Sequence, residues 1–245
     1  MFELPEKFAD LKETITATMR PTNILRYTPA GTKPWESKLG GCPYLTKKED
    51  YPLGINGEPM LFLAQINLSE MPTLPDFPTK GLLQFYIENN DYYGYDEPCK
   101  VVYIENYLTD ESQLLKEHPY PPEEEDMLPY ERECRITFET DVMPLSGTDE
   151  NFDELSGHIE DEEEREELWN LLAIEGSRMG GYPYFIQNPV EVFESGEKGI
   201  LLLQLDTDDE AGLMFGDCGN CQFFIAEQDL KNKDFSDVFY DWACC

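Results

Sequence analysis

Ser37-Lys38-Leu39-Gly40-Gly41-Cys42-Pro43-Tyr44-Leu45 returns 140 residues later as Ser177-Arg178-Met179-Gly180-Gly181-Tyr182-Pro183-Tyr184-Phe185, with five of nine positions identical and three exchanged like for like. Two strand-like pieces then follow in the same order. Leu63-Ala64-Gln65-Ile66 answers to Leu202-Leu203-Gln204-Leu205 at an offset of 139, and Gly81-Leu82-Leu83-Gln84-Phe85-Tyr86-Ile87 to Gly219-Asn220-Cys221-Gln222-Phe223-Phe224-Ile225 at 138. An offset that drifts so little is what internal duplication leaves behind. The expected fold is α+β: an internal duplication of two β-rich halves around a shared core, with peripheral helices. Residues 1–245 read as a single domain made of repeat one (about 30–106), an inserted helical and acidic region (about 107–175) and repeat two (about 176–245).

Working outward, Phe8, Leu11 and Ile15 recur at helical spacing before Pro21, which predicts a helix over 6–20 followed by a loop. Strands are expected at 61–68, 81–88, 100–106, 135–140, 199–207, 221–227 and 237–242. A short helix is expected from Thr109-Asp110-Glu111, with Thr or Asp as its cap. The clearest helix lies at 159–174. Ile159, Leu168, Leu171 and Leu172 are its apolar positions, carboxylates crowd its N-terminal half, and Gly176 ends it.

Charge bounds the partners. Fifty-one acidic residues against 18 basic ones give a net charge of −33. Such a chain is repelled by phosphate backbones and anionic bilayers, so neither nucleic acid nor membrane is an expected partner. Either the acidity is plain solvation or an acidic face recognises a basic protein partner. Seven cysteines, an odd number, and an N-terminus without a basic stretch or apolar segment point to free thiols in the cytoplasm.

The candidate binding residues sit on the repeated pieces. Strand alternation puts Phe62, Ala64 and Ile66 on one face and Leu63, Gln65 and Asn67 on the other, with Gln84 opposite Leu83 and Phe85. The second repeat opposes Leu201, Leu203 and Leu205 to Gln204, and Cys221, Phe223 and Ile225 to Gln222. Gln65, Gln84, Gln204 and Gln222 thus hold equivalent places. Either each amide ties down a neighbouring loop backbone, or together they form a polar line along a cleft between the halves. Lys38 and Arg178 precede the two Gly-Gly turns and are the candidates for a paired anion site. The turns themselves lack the Lys-Ser/Thr ending of a phosphate loop, so glycine there most simply supplies special backbone angles.

Other constellations fail on inspection. Cys218-Gly219-Asn220-Cys221 has zinc spacing, but Cys221 aligns with the inward Leu83 and reads as a small core residue. Asp206-Thr207-Asp208-Asp209-Glu210 departs from a calcium loop at Gly212 and Asp217. His118 and His158 are the only histidines and neither falls in a catalytic motif. No cofactor, metal or catalytic residue is expected, and an enzyme is the less favoured class.

The run 33–41 with Pro43-Tyr44-Leu45, Pro52, Leu63-Ala64-Gln65-Ile66-Asn67 and Lys80-Gly81-Leu82-Leu83-Gln84-Phe85 resembles the YwqG-like family of bacterial proteins. The closing Phe215-Gly216-Asp217-Cys218-Gly219, Gln222-Phe223-Phe224-Ile225 and Asp241-Trp242 are similar too. That family carries a domain of unknown function, so the resemblance implies no catalytic residues or ligands. It does imply an immunity or partner-binding role, because some relatives neighbour secreted toxins. The expectation is therefore a cytoplasmic binding protein, of the immunity type, whose acidic surface engages a basic partner. The alternative is an enzyme or small-ligand binder using the cleft between the repeats.

Overall fold

The computed structural model describes residues 2–245, the side chain of Glu194 excepted. A 3-10 turn, Glu6–Leu11, runs into α1 (Lys12–Ala17). The chain then enters β1 (Arg20–Pro29), β2 (Lys38–Leu39), β3 (Leu61–Asn67), β4 (Leu82–Ile87) and β5 (Lys100–Ile104). Next come β6 (Cys134–Met143), α2 (Phe152–Ser156), α3 (Glu162–Leu172), β7 (Arg178–Gly180) and α4 (Glu191–Glu194). β8 (Ile200–Asp206), β9 (Asn220–Ile225), α5 (Glu227–Asn232) and β10 (Phe239–Ala243) complete it. The region expected to open a helix near Thr109 holds only a 3-10 turn, Glu111–Gln113, capped by the Asp110 carboxylate.

All ten strands join one antiparallel sheet in the order β10-β9-β8-β7-β1-β6-β2-β3-β4-β5. This corrects the expected α+β architecture of two halves with peripheral helices. The fold is a single curled, β-rich sheet with a few short helices. Two features of the sequence hid it. β1 lies in what reads as a loop after a helix-stopping proline, yet Pro21 sits at the strand's beginning, where a missing N–H is tolerated. β6 lies inside the supposed insertion. These two ten-residue strands pair along their whole length, from Arg20 opposite Met143 to Pro29 opposite Cys134, and form the middle of the sheet.

The sheet curls because its inner face is almost wholly apolar. Phe85 of β4 and Phe223 of β9 meet with ring centroids 5.0 Å apart, inside a core that also takes Leu63, Leu203, Ile136 and Tyr27. The two edge regions approach as well: Tyr103 packs on Phe235, and the Tyr240 hydroxyl donates to the Tyr93 carbonyl at 2.8 Å. A bulge between Phe62 and Ala64 overrides simple alternation, so Leu63 joins Ala64 and Ile66 inside while Phe62 turns outward with Gln65 and Asn67. The same irregularity falls between Leu201 and Leu203. A second cluster under α1, α2 and α3 buries Phe8, Leu11, Ile15, Phe152, Leu155, Leu168 and Leu172. No helix among the described residues is long and apolar enough to cross a membrane.

Candidate functional site

The six candidate binding residues form two trios. β2 brings Lys38 beside Gln65 of β3, which stands beside Gln84 of β4. β7 brings Arg178 beside Gln204 of β8, which stands beside Gln222 of β9. All six are buried on the outer face of the sheet, under the loops that follow the Gly-Gly turns. The trios lie on opposite sides of the β1–β6 pair. Among the described residues, no hydrogen bond or ion pair joins one trio to the other.

In the first trio, Gln65 Oε1 accepts from the Tyr44 N–H at 2.9 Å and from Gln84 Nε2 at 3.0 Å. Its Nε2 donates to the carbonyls of Pro34 (2.8 Å) and Glu36 (2.9 Å). Gln84 Nε2 also reaches the Tyr44 carbonyl at 2.8 Å, and the Tyr86 hydroxyl donates to Gln84 Oε1 at 3.1 Å. Lys38 Nζ donates to the carbonyls of Lys33 (2.9 Å) and Cys42 (3.1 Å). Burial holds the Lys38 ammonium below its ordinary pKa.

The second trio repeats the pattern with different chemistry at its head. Gln204 Oε1 accepts from the Tyr184 N–H at 2.9 Å, and Nε2 donates to Gly176 at 2.8 Å. Gln222 Nε2 donates to the Tyr184 carbonyl at 2.9 Å and to Asn220 Oδ1 at 2.8 Å. The Arg178 guanidinium donates to the carbonyls of Gly176 (3.0 Å), Tyr182 (3.4 Å) and Ile174, and burial lowers its pKa to about 10. Each amide and each cation is thus bonded to loop backbone, which fastens the turns 33–45 and 174–185 to the sheet. Gly40, Gly41, Gly180 and Gly181 all have φ between 61 and 72°, the left-handed region that these turns need.

The acidic helix stands apart from both trios. Asp161 caps α3 by accepting from the Glu164 N–H at 2.9 Å, and Glu162, Glu163, Glu166 and Glu167 are exposed. A groove of about 460 Å³ between α2 and α3 is lined by Asp149, Glu150, Asp153, Glu162, Arg165 and Glu166. Arg165 is held there by Asp153 and by Ser156 Oγ at 3.1 Å.

Sequence reasoning missed Tyr27, because β1 was read as a loop. Its hydroxyl is buried near Ser177 without hydrogen-bond geometry to it, and burial drives its pKa far up. The β-forming run Thr22-Asn23-Ile24-Leu25-Arg26-Tyr27-Thr28 was the available signal. Cys221 lies buried on the inner face of β9, while Cys218 is exposed in a turn at φ 56°. Among the described residues, no three His, Cys, Asp or Glu side chains are disposed to share a metal ion.

No curated protein matches the chain. A family model described as a domain of unknown function (DUF1963) matches residues 37–244, the stretch that holds both trios and the sheet from β2 to β10, and the chain belongs to that family.

Proposed function

We propose that this chain is a cytoplasmic interaction protein whose acidic surface engages a basic protein partner, an immunity-type role being one form of that activity. One observation carries the reading: the chain spends its few cations on itself. Lys38 and Arg178 are buried against backbone carbonyls, Lys198 is bound by Asp237 at 2.6 Å, and Arg135 by Glu36 at 3.0 Å. Arg26 pairs with Glu139 at 2.8 Å, and Lys233 with Glu105 at 2.7 Å. The excess of carboxylates therefore faces solvent with few free cations to offset it. Such a field steers encounter with a basic partner and rejects acidic ones. The alternative, a ligand cleft between the repeats, draws less support. The glutamine amides are occupied by backbone, and Phe85 and Phe223 fill the space inside the sheet.

The test is capture of partners on the immobilised chain at 0.05 M and 0.5 M salt, beside the variant Glu162→Gln/Glu163→Gln/Glu164→Gln. A basic partner that is lost at high salt supports the reading, because the Debye length falls from about 10 Å at 0.1 M toward about 3 Å at 1 M. A partner retained equally at both salts overturns it.

A further inference from the structure

Six large apolar or aromatic side chains crowd one end of the curled sheet. They are Leu53, Ile55 (62% exposed), Tyr92 (72%), Tyr95 (58%), Met127 and Met214. They come from four loops: those entering β3 and β6, and those joining β4 to β5 and β8 to β9. The strand registers place all four at the same end, since Leu61 faces Ile87, Tyr86 faces Lys100, Leu39 faces both Ala64 and Cys134, Cys134 faces Pro29, Ile24 faces Arg178, Arg178 faces Gln204, and Asp206 faces Asn220. Direct bonds tie the loops together. The Ile55 N–H donates to Glu88 Oε1 at 2.8 Å, Asn89 Nδ2 to Asp126 Oδ1 at 2.9 Å, and the Met214 N–H to the Pro129 carbonyl at 2.7 Å.

The tyrosines are held out rather than left loose. Asn90 Oδ1 accepts from the N–H groups of Tyr92 (3.0 Å) and Gly94 (2.9 Å). Trp242 Nε1 donates to the Tyr92 carbonyl at 2.8 Å, and the Tyr93 ring wedges between Phe215 and Trp242. A loop pinned in this way loses little freedom on binding. An exposed apolar patch marks an interaction site, and tyrosines near its centre are among the residues that carry most interface energy. The surrounding charge is predominantly acidic, with Lys100 at the start of β5 and Lys48, over the Tyr120 ring at 4.1 Å, as the exposed exceptions. Glu58, Asp91, Asp96, the acidic run 123–125 and Asp217 are exposed there, while Arg132 is held by Glu131. A recess of about 670 Å³, lined by Tyr51, His118, Tyr120 and Glu58, opens beside the patch.

An apolar centre inside a charged rim is the anatomy of a protein interface. We propose that this loop end, centred on Ile55, Tyr92 and Tyr95, is the docking surface for a basic protein segment, whose arginine or lysine side chains meet the acidic rim while an apolar side chain seats between the tyrosines. A second copy of this chain is the poorer occupant, because two acidic rims would face each other. The inference rests on the proposed function and assigns the contact to the loop end rather than to α3.

The experiment pans a displayed library of random twelve-residue peptides against the intact chain. Enriched peptides are then measured on Tyr92→Ser/Tyr95→Ser, on Ile55→Ser and on the α3 triple glutamine variant. All of these side chains are exposed or partly exposed, and unfolding midpoints check that the fold is kept. Peptides rich in Arg or Lys beside an apolar residue, weakened at least tenfold by either loop variant and unchanged by the α3 variant, support the proposal. Basic peptides weakened only by the α3 variant overturn the docking surface and leave the acidic-surface reading standing. Enrichment without basic residues, or no enrichment, overturns both. A concentration-dependent dimer abolished by Tyr92→Ser/Tyr95→Ser overturns the basic partner in favour of a second copy.

Discussion

Phe85 and Phe223 face each other across the inside of the sheet, ring centroids 5.0 Å apart and planes at 64°. Their strands are seven steps apart in the sheet order, which at about 4.8 Å per step would separate them by roughly 34 Å in a flat sheet. Their contact is therefore the contact that reports closure. Either ring cut to alanine should cost about 3–5 kcal/mol, as large core truncations do. The double variant should cost less than the sum, because the partner of each ring has already gone. Urea denaturation of the four proteins measures it. Strictly additive costs would mean that the rings do not touch in solution.

The Gly-Gly turns should tolerate no β-branched residue. At Gly181 a Cβ would stand 2.5 Å from Met143 Sδ and 3.0 Å from Thr22 Cβ, on top of a φ of 69°. At Gly41 the nearest atoms belong to the half-buried Glu133 side chain, which can move only by giving up its bonds from the Thr32 N–H (2.9 Å) and hydroxyl (2.6 Å), a smaller disturbance than displacing the buried Met143. Gly181→Val should therefore destabilise by more than about 1 kcal/mol, and by more than Gly41→Val, since left-handed strain alone costs about 1–3 kcal/mol. Equal and wild-type denaturation midpoints would remove this account of the turns.

Much of this geometry was legible in the sequence, and the part that was not has physical causes. The seven expected strands all form, because each is a short run of β-forming and apolar residues bounded by turn signals. The bulges at Leu63 and Leu202 overturned the face assignments of Phe62, Leu63 and Leu201 and left the others standing, since one inserted residue shifts the period without changing composition. The largest loss was β1. Two prolines and a preceding helical pattern outweighed a run of β-formers whose pairing with β6 lies more than a hundred residues away. That pairing is a long-range property that no local window contains. The exposed cluster centred on Ile55, Tyr92 and Tyr95, with Leu53, Met127 and Met214, was likewise invisible, because four separated loops build it.

The glutamines make a sharper prediction, because their bonds are unequal. Gln65→Leu would strip partners from the Tyr44 N–H and from the carbonyls of Pro34 and Glu36, at about 1–3 kcal/mol for each group left buried and unpaired. Gln222→Leu should be milder, since Asn220 Nδ2 also donates to the Tyr184 carbonyl at 2.9 Å. Amides kept for a ligand would instead leave the unfolding midpoint nearly unchanged when substituted.

The pH dependence of stability should carry the mark of Asp241. Burial raises its pKa above the ordinary 3.8, with Asp96 adding to the shift, while the Trp242 N–H works against it. A carboxyl whose folded pKa lies above its unfolded one binds protons more readily in the folded state. It therefore supports the fold in acid, and that contribution is lost as pH rises through the folded pKa. Asp206 is raised for the same first reason, but its two oxygens accept from the Gly176 (2.7 Å) and Thr207 (2.9 Å) N–H groups, which an amide cannot both satisfy. Asp241→Asn is the cleaner change, because one backbone N–H, that of Trp242, faces the carboxyl and an amide oxygen can still accept from it. His118 works in the opposite direction, its pKa lowered by burial, and it is common to both proteins, so it cancels in the difference. Measured from pH 4.5 to 7.5, wild-type stability should fall relative to Asp241→Asn, and the variant should have the higher unfolding midpoint at pH 7. Parallel curves at the two ends of that range would show that Asp241 ionises as freely in the folded chain as in the unfolded one.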